Sequence, residues 1–125
     1  MRGWIYVISN KAMVGLVKVG HSTKDPRLRA EELDNTGSPY PYIVEVDVLV
    51  EEPYQIEQQV QRNMMHLSAG KEWFRCTPKE ALKQILRVTN GKEIHISKYS
   101  EDLNEYSYLE EQWIKEGKKF IKIES

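Results

Sequence analysis

Gly3-Trp4-Ile5-Tyr6-Val7-Ile8-Ser9 and, after a short turn, Leu16-Val17-Lys18-Val19-Gly20-His21 form the stretch whose reading decides the fold. Both runs are rich in aromatic and β-branched residues, which suit a pleated, half-buried surface. Asn10 and Gly15 punctuate the segment between them. That connection is too short for a crossover, so the two strands should pair antiparallel as a hairpin. Side chains alternate along a strand. Trp4, Tyr6 and Ile8 therefore share one face, with Ile5 and Val7 on the other. Lys18 shares a face with Leu16, opposite Val17 and Val19.

The chain beyond the hairpin reads as a series of short elements. Asp25 suits an N-cap and Pro26 the first helical position. The helix they open should run to about Asn35, where Gly37-Ser38-Pro39 stops it. Pro26, Ala30 and Leu33 line one side. Arg29 flanks that side, whereas Arg27 lies across from it and is expected in solvent. Tyr42 to Val50 alternates valines with Glu45 and Asp47, the pattern of a half-buried third strand with one wet face. Pro53 opens a second helix to about Leu67, with Ile56, Val60, Met64 and Leu67 as its apolar stripe. Glu57 stands at the border of that stripe, and Gln61 follows one turn on.

Glu72 to Cys76 is a short, strand-like aromatic piece. Thr77-Pro78-Lys79-Glu80 has the spacing of a capping box, with proline at the first helical position. The third helix reaches about Val88, with Leu82, Ile85 and Leu86 inward. Asn90-Gly91 closes the main unit, so residues 1–89 are expected to form the core and 90–125 a C-terminal extension. In that extension Glu93 to Ser97 reads as a strand. A helix follows, with Leu103, Tyr106, Leu109, Trp113 and Ile114 on one side, and Lys119 to Ile123 reads as a further strand. The apolar side of that helix either packs on the core or joins two copies into a homodimer.

Composition bounds the function. A chain of 125 residues with 40% apolar and 30% charged side chains can bury the core of one domain. No apolar run approaches the roughly 20 residues of a membrane helix, and the residues after Met1 lack a secretory pattern. The single cysteine, Cys76, cannot form an internal disulfide, and paired zinc-ligand spacing is absent. A reducing cytoplasm is the expected setting. The net charge of −1 argues against an unspecific nucleic-acid coat. Between residues 11 and 29, however, Lys11, Lys18, Lys24, Arg27 and Arg29 face one acid, Asp25. That local patch suits a small phosphate footprint, although ordinary surface charge gives the same pattern.

Tyr6, Lys18, Arg29 and Glu57 are a set of side chains able to cut a phosphodiester. The reaction needs an activated water, neutralised phosphoryl oxygens and help for the leaving oxygen. A carboxylate such as Glu57 can hold one Mg²⁺ or Mn²⁺, with waters in the remaining positions. Arg29 can fork onto phosphate oxygens. Tyr6 can take or relay a proton if a neighbouring cation such as Lys18 eases its ionisation. Taken singly, each also reads as an ordinary strand or helix-face residue.

Their order is more specific. Trp4-Ile5-Tyr6 with Gly3 before it, Lys18-Val19-Gly20, Asp25-Pro26-Arg27-Leu28-Arg29 running to Leu33, Thr36-Gly37-Ser38-Pro39, Ile56-Glu57 and Glu72-Trp73-Phe74 together resemble the GIY-YIG nuclease superfamily. The likeness is to the branch common in phage and prophage proteins, which carries KVG or KIG where YIG stands, and it spans roughly Gly3 to Val88. It implies an α+β sandwich: a small three-stranded antiparallel sheet flanked by helices, here with a C-terminal β-α-β extension. It also implies an endonuclease that hydrolyses DNA with a single divalent metal, Mg²⁺ or Mn²⁺. By that resemblance Tyr6 is the general base or its relay, Lys18 replaces the second tyrosine, Arg29 is the family arginine and Glu57 binds the metal. The sequence departs from the family at the first glycine, displaced to Gly3, and at Gln61, where a histidine often stands.

His21, Lys24 and Arg27 are the candidate nucleic-acid contacts, with a plain turn residue the alternative for His21. His66 and His95 read as structural, and Trp73 and Phe74 as core. Cys76 has no histidine at a motif spacing, which argues against nucleophilic catalysis. The competing reading is a nuclease-like module that grips nucleic acid or a protein and cuts poorly.

Overall fold

The structure, a computed structural model, describes residues 1–28, 42–100 and 103. Its centre is the expected hairpin. Strand β1 (Arg2–Asn10) pairs antiparallel with β2 (Leu16–Ser22), with Tyr6 opposite Gly20 and Ile8 opposite Lys18. On its other side β1 pairs antiparallel with β3 (Tyr42–Glu51). Helix α1 (Pro53–Asn63) comes next, then a single 3₁₀ turn, Met65–Leu67. Short β4 (Trp73–Arg75) leads into helix α2 (Pro78–Thr89), and β5 (His95–Lys98) ends the described elements.

The sheet corrects the expectation of three strands flanked by helices. It has five strands, all paired antiparallel, in the order β4-β2-β1-β3-β5. The aromatic piece around Trp73 adds to the outer edge of β2, and His95–Lys98 adds to the outer edge of β3. Each supplies partners for N–H and C=O groups that a three-stranded sheet leaves open. Residues 95–98, from the segment expected as an extension, are thus part of the main sheet. The rest of the expected extension lies outside the described residues except Leu103, which packs into the core. Most of the first expected helix lies outside them too. Its entrance is described: Asp25 Oδ1 accepts the Arg27 N–H at 3.0 Å, and Pro26 is buried.

Two apolar layers result. Ile5, Val7, Val17, Val19, Val46, Val48 and Val50 face the helices and meet Val60, Met64, Leu82, Ile85 and Leu86, with Phe74 among them. On the other face Tyr6, Ile8 and Val44 cluster with Tyr42 against them. Alternation alone would put Val44, Val46 and Val48 together. A bulge prevents this: Val7 pairs with Val46 but Ile8 with Val44, leaving Glu45 as the extra residue. An inserted residue switches the faces of the strand on one side of the bulge relative to the other. The wet face expected for β3 is also absent at Asp47, which is 3% exposed. Among the described residues no helix is long and apolar enough to cross a membrane.

Candidate functional site

Glu57 is the focus. It lies near the start of α1, on the face that packs against β2, and is only 2% exposed. A buried carboxylate needs hydrogen-bond donors for both oxygens. Gln61, one turn on, donates from Nε2 to Glu57 Oε1 at 2.8 Å and to the Val19 carbonyl at 3.0 Å. That bridge pins the carboxylate to β2. The second oxygen, Oε2, accepts from Nδ1–H of His21. The carboxylate thereby selects the tautomer of the ring. The His21 ring also makes a T-shaped contact with Tyr54, with centroids 5.5 Å apart at 75°.

Tyr6 comes to the same point of β2 from the opposite face of the sheet. Its ring lies across Gly20, so closely that a Cβ added there would stand 2.4 Å from the Tyr6 hydroxyl. Val19 and His21, the neighbours of Gly20, are the residues that engage Gln61 and Glu57. Carboxylate and phenol therefore approach β2 on either side of one glycine. The pairing of β4 with β2 covers only Leu16 to Lys18. Past Val19, whose N–H bonds the Glu72 carbonyl at 3.1 Å, that edge runs on beyond β4.

Lys18 shares the Tyr6 face but pairs with Ile8, two pairs along from Gly20. Its ammonium is mostly covered and lies 3.5 Å from Glu72. Arg27 is exposed, as expected, but its guanidinium is held by Asp25 at 2.9 Å. That contact keeps the Asp25 carboxyl below the usual carboxylate range. Lys24 is exposed and lies just past the end of β2. Arg29 lies outside the described residues. His21 is a strand residue rather than a turn residue, and His66 and His95 are exposed. Phe74 is core, while Trp73 is half-buried on the other face beside Tyr42. Burial pushes the Cys76 thiol up to about 11, leaving no thiolate at neutral pH.

Two residues gain a part that the sequence did not assign. Gln61 stood out only as a departure from a resemblance, although its spacing from Glu57 already allowed a hydrogen bond along the helix. Asp47 looked solvent-facing. It is buried opposite Tyr6 and accepts a hydrogen bond from Tyr99 Oη at 2.8 Å. Nothing local distinguishes it from Glu45.

Among the described residues no three His, Cys, Asp or Glu side chains gather as a metal cage. A divalent ion that keeps most of its waters needs only one or two protein donors. An anionic oxygen from Glu57 and an imidazole nitrogen from His21, on neighbouring elements and reached through the partly exposed ring, fit such an ion.

Against known families, the T5orf172 domain matches residues 3–90. No curated protein and no solved structure matches the chain.

Proposed function

This chain belongs to the T5orf172 domain family, a phage-associated domain related to nuclease-like folds, and from that premise we propose that it is a divalent-cation-dependent endonuclease of the GIY-YIG type acting on DNA. The observation that carries the reading is that Glu57 and Tyr6 flank one glycine of β2, from opposite faces of the sheet. A carboxylate so deeply buried is costly unless something uses its charge.

Glu57 would hold the cation, with Gln61 fixing its angle. A bound divalent ion supplies charge neutralisation and a more acidic water. Tyr6 relays or accepts the proton of the attacking water. Lys18, on the Tyr6 face, adds positive charge near the phenol. Arg29 takes the phosphate oxygens, while Arg27 and Lys24, exposed just past the end of β2, steer the backbone of DNA toward the site.

The test is cleavage of supercoiled plasmid with Mg²⁺ or Mn²⁺. The parent should nick or cut. Glu57→Gln, which keeps the volume and the contact with Gln61, should lose activity by about a hundredfold or more while its circular dichroism is unchanged. Arg29→Ala should harm cleavage far more than Arg27→Ala. A Glu57→Gln protein that cuts like the parent refutes the assignment. The near-complete burial of Glu57 behind His21 favours the second reading, a binding module that cuts poorly. That reading wins if neither protein cuts and both retard DNA in a gel.

A further inference from the structure

We infer that His21 is a second protein ligand to the cation at Glu57, through Nδ1, and that the site therefore prefers Mn²⁺ to Mg²⁺. The inference rests on the reading of Glu57 as cation-binding and adds a donor to it.

Strand alternation turns His21 toward α1, and its Nδ1 meets Glu57 Oε2 rather than a backbone carbonyl. Gln61 bonds Oε1, so the oxygen that faces the His21 ring is Oε2, and a cation there would replace the His21 hydrogen. The Tyr54 ring packs against the imidazole at a steep angle, with centroids 5.5 Å apart. With its side chain 34% exposed, His21 is the point where this buried carboxylate opens to solvent.

The pairing dictates the chemistry. The lone pair of a bare Nδ1 and a carboxylate oxygen repel, so the two face each other only across something positive. A hydrogen fills that place in the His21–Glu57 hydrogen bond, and a metal ion can take it after a small swing of the ring. Glu57 on α1 and His21 on β2 would together hold the ion. Mg²⁺ favours oxygen ligands and sheds water reluctantly. Imidazole nitrogen favours first-row transition ions, and Mn²⁺ accepts both donor types.

The experiment is a Mn²⁺ titration of the full chain followed by electron paramagnetic resonance, with pulsed spectra for nitrogen coupling and Mg²⁺ as competitor. The parent should bind Mn²⁺ with an imidazole-type nitrogen coupling and retain it against equimolar Mg²⁺. His21→Gln should lose the coupling and bind Mn²⁺ about tenfold or more weakly, with Mg²⁺ affinity little changed. Mn²⁺ that binds in a Glu57-dependent way without nitrogen coupling overturns the inference and leaves the proposed function standing. Absence of Mn²⁺ binding, or binding indifferent to Glu57→Gln, overturns both. A parent spectrum without nitrogen coupling overturns the inference even if a variant fails to fold.

Discussion

Gly20 lacks a side chain because the Tyr6 ring occupies the space. An added methyl would stand 2.4 Å from the phenol oxygen and 2.5 Å from the carbon bearing it, inside contact distance for both. The ring is buried and cannot simply step aside. Gly20→Ala should therefore destabilise the protein by about 1–3 kcal/mol, the usual range for overpacking. Urea denaturation measures it. Shrinking the partner in Gly20→Ala/Tyr6→Val should cost less than the sum of the two single changes, since each relieves the other. Strict additivity would mean that the two residues do not touch. Gly3 has the same kind of reason: a Cβ there would lie 2.7 Å from Pro53 Cγ and from the Ser22 carbonyl oxygen. Gly3 is thus the glycine that lets α1 start against the hairpin.

The two helices are begun by different means. In α2, Thr77 Oγ1 accepts the Glu80 N–H at 3.2 Å and Pro78 opens the first turn, while Asn90 closes the helix in a left-handed conformation at φ 49°. These are local devices, and the Thr77-to-Glu80 pattern announces them. Thr77→Ala should cost about 1 kcal/mol in urea, and Thr77→Ser should restore most of it. Equal stability of the alanine variant would show that packing of Leu82, Ile85 and Leu86 alone sets the start. Helix α1 has no side-chain cap, and Glu52 before it is left-handed at φ 53°. Its start is set by Pro53 against Gly3, a contact between residues far apart along the chain. Strand β3 shows the same division. Its apolar alternation is local, but the bulge at Glu45 exists only because β1 lies alongside.

At the scale of the whole molecule, the sheet buries a charge-bearing group that the chain alone leaves in solvent. Burial pushes the Asp47 carboxyl above the ordinary carboxylate range, partly offset by the hydrogen bond from Tyr99. A folded-state value above the unfolded one means that the native protein holds that proton longer. This contribution favours folding most below the unfolded value and is lost as pH rises through the folded one. Asp47→Asn keeps an acceptor for Tyr99 and cannot ionise. Its urea midpoint relative to the parent should therefore rise as pH climbs above the ordinary carboxylate range of about 4. A pH-independent difference would show that Asp47 ionises as freely folded as unfolded.

The strands of the hairpin, the inward residues of α2 and the cap at Thr77 were legible in the sequence. Each depends on residues within a few positions of one another, where periodicity and capping leave their mark. The width of the sheet was not legible, because Trp73–Arg75 and His95–Lys98 are too short to declare which edge they join. Of the site, Glu57 and Tyr6 stood out by type and order, but the pairing of Glu57 with His21, the bridge from Gln61 to Val19 and the burial of Asp47 did not. Those are contacts between segments far apart along the chain, and only the packing of α1 and β5 on the sheet determines them. Local chemistry thus chose the elements, whereas the environment of each carboxylate was decided by which of them came to lie together.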